Sequence, residues 1–163
     1  MNLESFNKEL ASHLIDFESY FLELDKVNNE VSNWSVGEQI DHSLKVVEFN
    51  LKRILDRNAE VLSDPKKVSK LGAVVLMTKF IPRNKGKAPE RVLPEVDISS
   101  EFLEAKISKI RKMSEELLGV SNKNLNECYF EHFVFGGLSE NQWLKFCLIH
   151  NHHHLKIIRD ILS

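Results

Sequence analysis

Two histidines near the end of the chain, His150 and His154, are the residues of this sequence best suited to chemistry. They are four residues apart in a stretch whose apolar residues recur with helical spacing. That separation places two side chains on one helix face, with Cβ atoms about 5–6 Å apart. Two such imidazoles can bind one divalent ion at about 2.0–2.1 Å per Zn–N bond, but a four-coordinate site needs a further ligand from elsewhere in the protein.

His42 is the candidate for that third ligand. It follows Ser35 and Glu38, which have the spacing of a capping box and predict that a helix starts here. On that helix, the row containing His42 lies beside an apolar row that begins at Ile40. His42 therefore borders or enters the predicted core face, where it could meet the other two histidines.

Each histidine also has a structural interpretation. A single helical histidine is more often a satisfied boundary residue than a ligand, so spacing alone leaves the pair evenly balanced between the two roles. His152 and His153 point away from the ligand face, although His153 could line the edge of a pocket. Position 151 is Asn, where the HExxH helix of zinc proteases places its general-base Glu, so a protease mechanism is not supported.

Four long helical stretches must position these residues. Their apolar residues recur every three or four positions, and the stretches cover residues 3–30, 35–62, 99–119 and 139–163. Ser139 and Gln142 form a second capping box at the start of the last stretch. No convincing strand is expected, and the pattern predicts an all-α, four-helix bundle that occupies the single domain 1–163.

A long connection joins the second and third predicted helices. Pro65 ends the second helix because proline lacks an amide proton and disfavours helix at the preceding residue. A short helix is expected over 71–80, and the remainder, 81–98, contains Pro82, Pro89 and Pro94. Loops of this length are often functional, so 81–98 is a candidate lid or pocket wall.

Composition narrows the cellular setting and the partners. The chain has 22 basic and 24 acidic residues and a formal net charge of −2, so no nucleic-acid or membrane partner is expected. Two cysteines, Cys128 and Cys147, are too few for a disulfide framework and are predicted to be reduced. No signal peptide or membrane-spanning run is recognised. These features favour a cytoplasmic protein.

Two sequence blocks resemble the DinB-like superfamily, which includes the bacillithiol and mycothiol S-transferases. The first block is Trp34-Ser35-Val36-Gly37-Glu38-Gln39-Ile40-Asp41-His42. The second is His132-Phe133-Val134-Phe135-Gly136-Gly137-Leu138-Ser139, which continues through Trp143 to His150-Asn151-His152-His153-His154 and is similar to an uncharacterised branch. Phe133 stands where proline is common, and Ile157 where many members have Gln.

The resemblance implies an up-down-down-up bundle that binds nickel or zinc through His42, His150 and His154. It also implies a homodimer. Three histidine ligands leave a coordination position open, as in catalytic sites. The leading hypothesis is therefore a metal-dependent hydrolase or thiol S-transferase with a small-molecule substrate, such as a low-molecular-weight thiol. His132 is the candidate catalytic residue, as an acid/base or a substrate contact, although a loop histidine without a role is an equal alternative.

Other residues and other functions remain open. Glu38 is expected to be the capping carboxylate rather than a base, and Cys147 a packing residue rather than a nucleophile. The bundle could instead be a non-catalytic stress-response module that binds metal or a small molecule, or a dimeric scaffold that has lost its metal.

Overall fold

The computed structural model describes residues 1–56, 68–83, 87–119, 125 and 128–163. This part of the chain is mostly helical, with five α-helices and one small antiparallel sheet. The helices are α1 (Leu3–Glu18), α2 (Val36–Leu55), α3 (Lys70–Thr78), α4 (Ser100–Gly119) and α5 (Glu140–Ile161). The strands are β1 (Tyr129–His132) and β2 (Gly136–Ser139), and 3₁₀ turns lie at Phe21–Glu23 and Glu90–Val92. The prediction of a wholly α-helical fold is wrong in one respect, the sheet.

Helix α1 ends at Glu18, twelve residues before the predicted end at Glu30. Beyond it the chain turns back toward the start of α2. The Leu24 carbonyl accepts the Gly37 amide and the Lys26 carbonyl accepts the Val36 amide, each at 2.9 Å. The first amides of a helix have no partner within it. The segment after Glu18 therefore leaves the helical path and satisfies two amides of α2.

The apolar faces predicted for α1 and α2 form the core. Helices α1 and α2 each pack against both α4 and α5. The predicted residues that lie within these helices are buried: Phe6, Leu10, Leu14 and Phe17 from α1, and Ile40, Leu44, Val47 and Leu51 from α2. Phe21 and Leu24, predicted for the same face of the first helix, lie beyond α1 and are partly buried. Helix α2 ends at Leu55, and the rest of its predicted range, 57–62, lies outside the described residues. No helix in the described part of the chain has the length and apolar character needed to cross a bilayer.

Strands β1 and β2 form a hairpin immediately before α5, where the sequence predicted only an irregular connection. The register pairs Phe130 with Leu138 and His132 with Gly136, which leaves the turn 133–135 between the strands. Gly136 has φ 76°, a left-handed conformation that glycine adopts without steric cost. Each strand has four residues, too few for an apolar/polar alternation to show it in the sequence.

The end of the long connection is held against α2. We name residues 87–95 the strap. The Lys45 ammonium donates to the Leu93 carbonyl at 2.6 Å, and the Glu95 amide donates to the Asp41 carboxylate at 2.8 Å. Within the predicted lid or wall over 81–98, side chains of α2 thus hold the backbone at Leu93 and Glu95.

Asp41 is the centre of this attachment. Its side chain is fully buried and forms ion pairs with Lys106 of α4 and, at 3.5 Å, with Lys45. A buried carboxylate loses its hydration and is stable only where partners replace it. Asp41 therefore joins three parts of the fold: α2, α4 and the strap.

We expect Asp41→Asn to lower the free energy of unfolding by about 2–4 kcal/mol, because it leaves two lysines without their shared charge partner. Urea denaturation followed by circular dichroism measures this. Glu95→Gln is the matched control: the Glu95 side chain is 59% exposed, and its pair with Lys45 should contribute less than about 1 kcal/mol. Equal effects of the two variants would contradict the role given to Asp41.

Candidate metal centre

The structure brings His42, His150 and His154 together between α2 and α5. One nitrogen from each ring lies within 4.8 Å of the others, and all three side chains are buried. The His150 and His154 ring centroids are 4.5 Å apart, as expected for residues one turn apart, and His42 lies 4.9 Å from each. The pair predicted from spacing and the partner predicted from helix phase therefore form one cluster.

Two of the three rings are oriented by carbonyl oxygens. The His42 Nδ1 lies 2.7 Å from the Val92 carbonyl oxygen, and the His154 Nδ1 lies 2.6 Å from the Gln39 Oε1. A carbonyl oxygen can only accept, so both rings carry their proton on Nδ1. Their Nε2 lone pairs are left for another partner, the arrangement that orients histidine ligands in metal sites.

The donor set fits a divalent ion. The Nε2 atoms of His42 and His150 are 3.2 Å apart, and two nitrogen ligands of one tetrahedral zinc ion are about 3.3 Å apart. Burial lowers the pKa of His42, and it lowers those of His150 and His154 well below the usual value, with neighbouring histidines adding to the effect. All three rings are therefore neutral at pH 7, the form that binds metal.

These imidazoles form part of the wall of a cavity of about 660 Å³, a volume within the range of small-molecule sites. Most of the wall is apolar. It includes Trp34, Val46, Phe49, Val75, Phe135, Trp143 and Phe146, together with Ala88, Pro89 and Val92 from the strap. Among the described residues, the lining side chains with a formal charge are Lys87, Arg91 and Glu131.

Comparison with known proteins gives one assignment. Residues 17–160 match the family described as Protein of unknown function (DUF1569), which is most of the chain. The chain belongs to the DUF1569 family. No curated protein and no solved structure matches it. The histidine cluster and the cavity lie within the part of the chain that the DUF1569 match covers.

His132, the predicted catalytic residue, also lines the cavity of this DUF1569 protein. Its Nδ1 accepts the amides of Val134, at 3.1 Å, and Phe135, at 3.2 Å, and its ring stacks on Phe135. Burial, with Arg53 and Arg91 nearby, lowers its pKa to about 4. The ring is thus neutral, its lone pair is engaged, and its proton is on Nε2. This geometry supports a hydrogen bond from His132 to a substrate and argues against its acting as a base.

The remaining candidates have structural roles or flank the site. Glu38 is the capping-box carboxylate and accepts the Ser35 amide at 2.7 Å, as predicted. His152 is exposed, whereas His153 is partly buried and lines the cavity edge. Cys147 is buried, and burial raises the pKa of its thiol to about 12, so it is a packing residue.

Sequence reasoning missed both groups that orient the histidines. Gln39 could have been suspected, because a residue three positions before His42 lies on the same side of α2, and Gln there is polar within a buried face. Val92 left no signal, since it acts through its backbone carbonyl from a segment fifty residues away. No side-chain pattern reports such a contact.

The two thiols should react very differently. We expect iodoacetamide at pH 8 to label the partly exposed Cys128 in the native protein and to leave Cys147 unlabelled, because the thiolate is the nucleophile and burial suppresses it. Peptide mass spectrometry measures both sites, and labelling in denaturant, where both should react, is the control. Rapid native labelling of Cys147 would contradict this assignment and reopen a role for it as nucleophile.

Proposed function

We propose that this DUF1569 protein binds one nickel or zinc ion through His42, His150 and His154 and acts on a small molecule held in the adjoining cavity. One observation carries the proposal: three neutral, buried imidazoles converge on one point beside a cavity large enough for a substrate. Hydrogen bonds engage the Nδ1 atoms of His42 and His154, so their Nε2 lone pairs are left to the cluster. A shared ion would give these buried lone pairs the partner that they otherwise lack.

We further propose the four-helix arrangement that the DinB-like resemblance implies. The packing of α1 and α2 on both α4 and α5 supports it, since it gives each long helix two neighbours in a closed ring. The up-down-down-up order and the homodimer stay predictions of the resemblance.

We propose one of two reaction classes: hydrolysis of the bound substrate, or transfer of a low-molecular-weight thiol. A divalent ion with three histidine ligands and an open position supplies Lewis acidity and lowers the pKa of a water or thiol bound to it. The protein's own contribution is positional. Val92 and Gln39 fix two imidazoles, His132 offers an Nε2 donor, and the aromatic residues make most of the cavity wall apolar.

A binding module without turnover is the second candidate, and one observation favours it. Within the described residues no carboxylate joins the histidine cluster, and the lone pair of His132 is engaged, so neither the cluster nor His132 provides a general base. Metal-dependent turnover of a panel of esters, thiols and electrophiles supports the enzyme. Binding of panel members without turnover supports the module.

Metal analysis tests the proposal directly. We expect protein purified without an affinity tag and loaded with zinc or nickel to retain about one equivalent after desalting. His154→Ala should weaken metal affinity at least about a hundredfold, because it removes a ligand. Chelator competition measures that affinity, and elemental analysis gives the stoichiometry.

His152→Ala is the matched control, since it removes an exposed histidine two positions earlier on the same helix. It should bind metal like the wild type. Less than a tenth of an equivalent in the wild type, or equal metal content in the two alanine variants, would overturn the metal site.

Gln39 provides a finer test of the geometry. Gln39→Leu keeps the side-chain volume but leaves the Nδ1 proton of His154 without its acceptor. We expect metal affinity to fall about 10–100-fold, as for other groups that orient ligands. Gln39→Glu retains an acceptor oxygen and should restore most of the affinity. Both affinities come from the same chelator competition, and an unchanged affinity in Gln39→Leu would mean that this hydrogen bond does not orient His154.

A further inference from the structure

Two arginines flank one aromatic ring beside the cavity. The guanidinium carbon of Arg91 lies 4.6 Å from the centroid of the Phe49 ring, and that of Arg53 lies 5.2 Å from the same centroid. Arg53 also lies 4.3 Å from the centroid of Phe130. Stacking on aromatic faces stabilises a cation but does not neutralise it. This corner of the protein therefore carries two positive charges close together.

Arg91 lines the cavity, and its guanidinium stacks on Phe49, which lines it too. Arg91 is exposed, and among the described residues no carboxylate forms an ion pair with it. Lys87 adds a second cation to the lining, and Glu131 is the acidic residue among the described residues that line the cavity. His132 carries its remaining proton on Nε2, so it too presents a donor. Positive charge thus predominates among the charged side chains in the described lining of an otherwise apolar cavity.

The backbone next to Arg91 is tied to the histidine cluster. The next residue in the strap, Val92, holds the His42 ring through its carbonyl oxygen, and Lys45 holds the carbonyl of Leu93. The backbone that carries Arg91 is therefore held, and stacking on Phe49 restrains its guanidinium. Such pre-organisation lowers the entropic cost of binding a ligand that contacts both.

We propose that the cavity binds a small organic anion whose carboxylate or phosphate group pairs with Arg91 and whose apolar part lies against the aromatic wall. Its other end faces His42, His150 and His154. The inference rests on the proposed function and specifies its substrate class. A guanidinium binds either a carboxylate or a phosphate through two parallel hydrogen bonds. The contact with Arg91 therefore selects an oxyanion and does not distinguish between the two acids.

Three probes of similar shape test this: 4-phenylbutanoate, 4-phenylbutyl phosphate and the neutral 4-phenylbutan-1-ol. Calorimetry is performed on the full chain, both freed of metal by a chelator and loaded with zinc. We expect one or both anions to bind the metal-free protein at least about tenfold more tightly than the alcohol does. The stronger anion identifies the preferred oxyanion.

Arg91→Gln should weaken anion binding about 10–100-fold and leave the alcohol unchanged. Arg91→Lys keeps the charge but loses the fork, so its affinity for the anion should lie between those of the wild type and Arg91→Gln. Arg159→Gln is the matched control, because it removes the same charge from a surface position outside the lining. Unaltered circular dichroism of each variant shows that it has folded.

The outcomes separate this inference from the metal proposal. Equal affinity for anion and alcohol in the metal-free protein, or anion binding unaffected by Arg91→Gln, overturns the anion site even if zinc is retained. Tighter binding of the anion than of the alcohol, lost in Arg91→Gln, supports the anion site. Absence of metal binding in the wild type, with anion binding intact, instead defeats the proposed metal function alone.

Discussion

The structure depends on the cost of burying polar groups in the first two turns of α2. Gln39, Asp41 and His42 lie within four consecutive positions and are all at most 5% exposed. Each must replace the hydrogen bonds that water would supply. Together they find partners in three other parts of the chain. Gln39 reaches His154 on α5, Asp41 reaches Lys106 on α4, and His42 reaches the strap.

These contacts orient the side chains, and they also set the relative positions of the helices and the strap. Apolar packing is non-directional, so it brings helices together without setting their register. A hydrogen bond to a particular carbonyl is satisfied in only one register, and a mismatch leaves a buried group unpaired. The polar residues of α2 therefore determine where α5 and the strap lie, and they bring the three imidazoles to one point as a consequence.

Sequence patterns predicted the parts of this fold that repeat or that use side chains as caps. The apolar spacing predicted the buried faces of α1 and α2, and both capping boxes are present in the structure at Ser35 and Ser139. The position of His150 and His154 on one face followed from helical geometry alone. These features are local, and a single sequence carries local information well.

Features that depend on backbone groups were missed. Helix α1 was predicted too long because the carbonyls of Leu24 and Lys26, not side chains, satisfy the amides at the start of α2. The hairpin was missed because its turn depends on the His132 ring accepting two amides, a contact that no alternation pattern shows. The strap was recognised as a candidate wall, but its carbonyl contact with His42 was not.

The electrostatics of the cavity follow from the same burial constraint. Burial keeps all three imidazoles neutral, so they would leave the double positive charge of a bound ion uncompensated. The buried carboxylate nearest in sequence, Asp41, is already neutralised by Lys106 and Lys45. With Lys87 and Arg91 set against Glu131 in the described lining, an ion bound here would sit in a net positive cavity with a mostly apolar wall. Charges are weakly screened in such surroundings, so an anionic ligand would gain more from this site than a neutral ligand of equal shape.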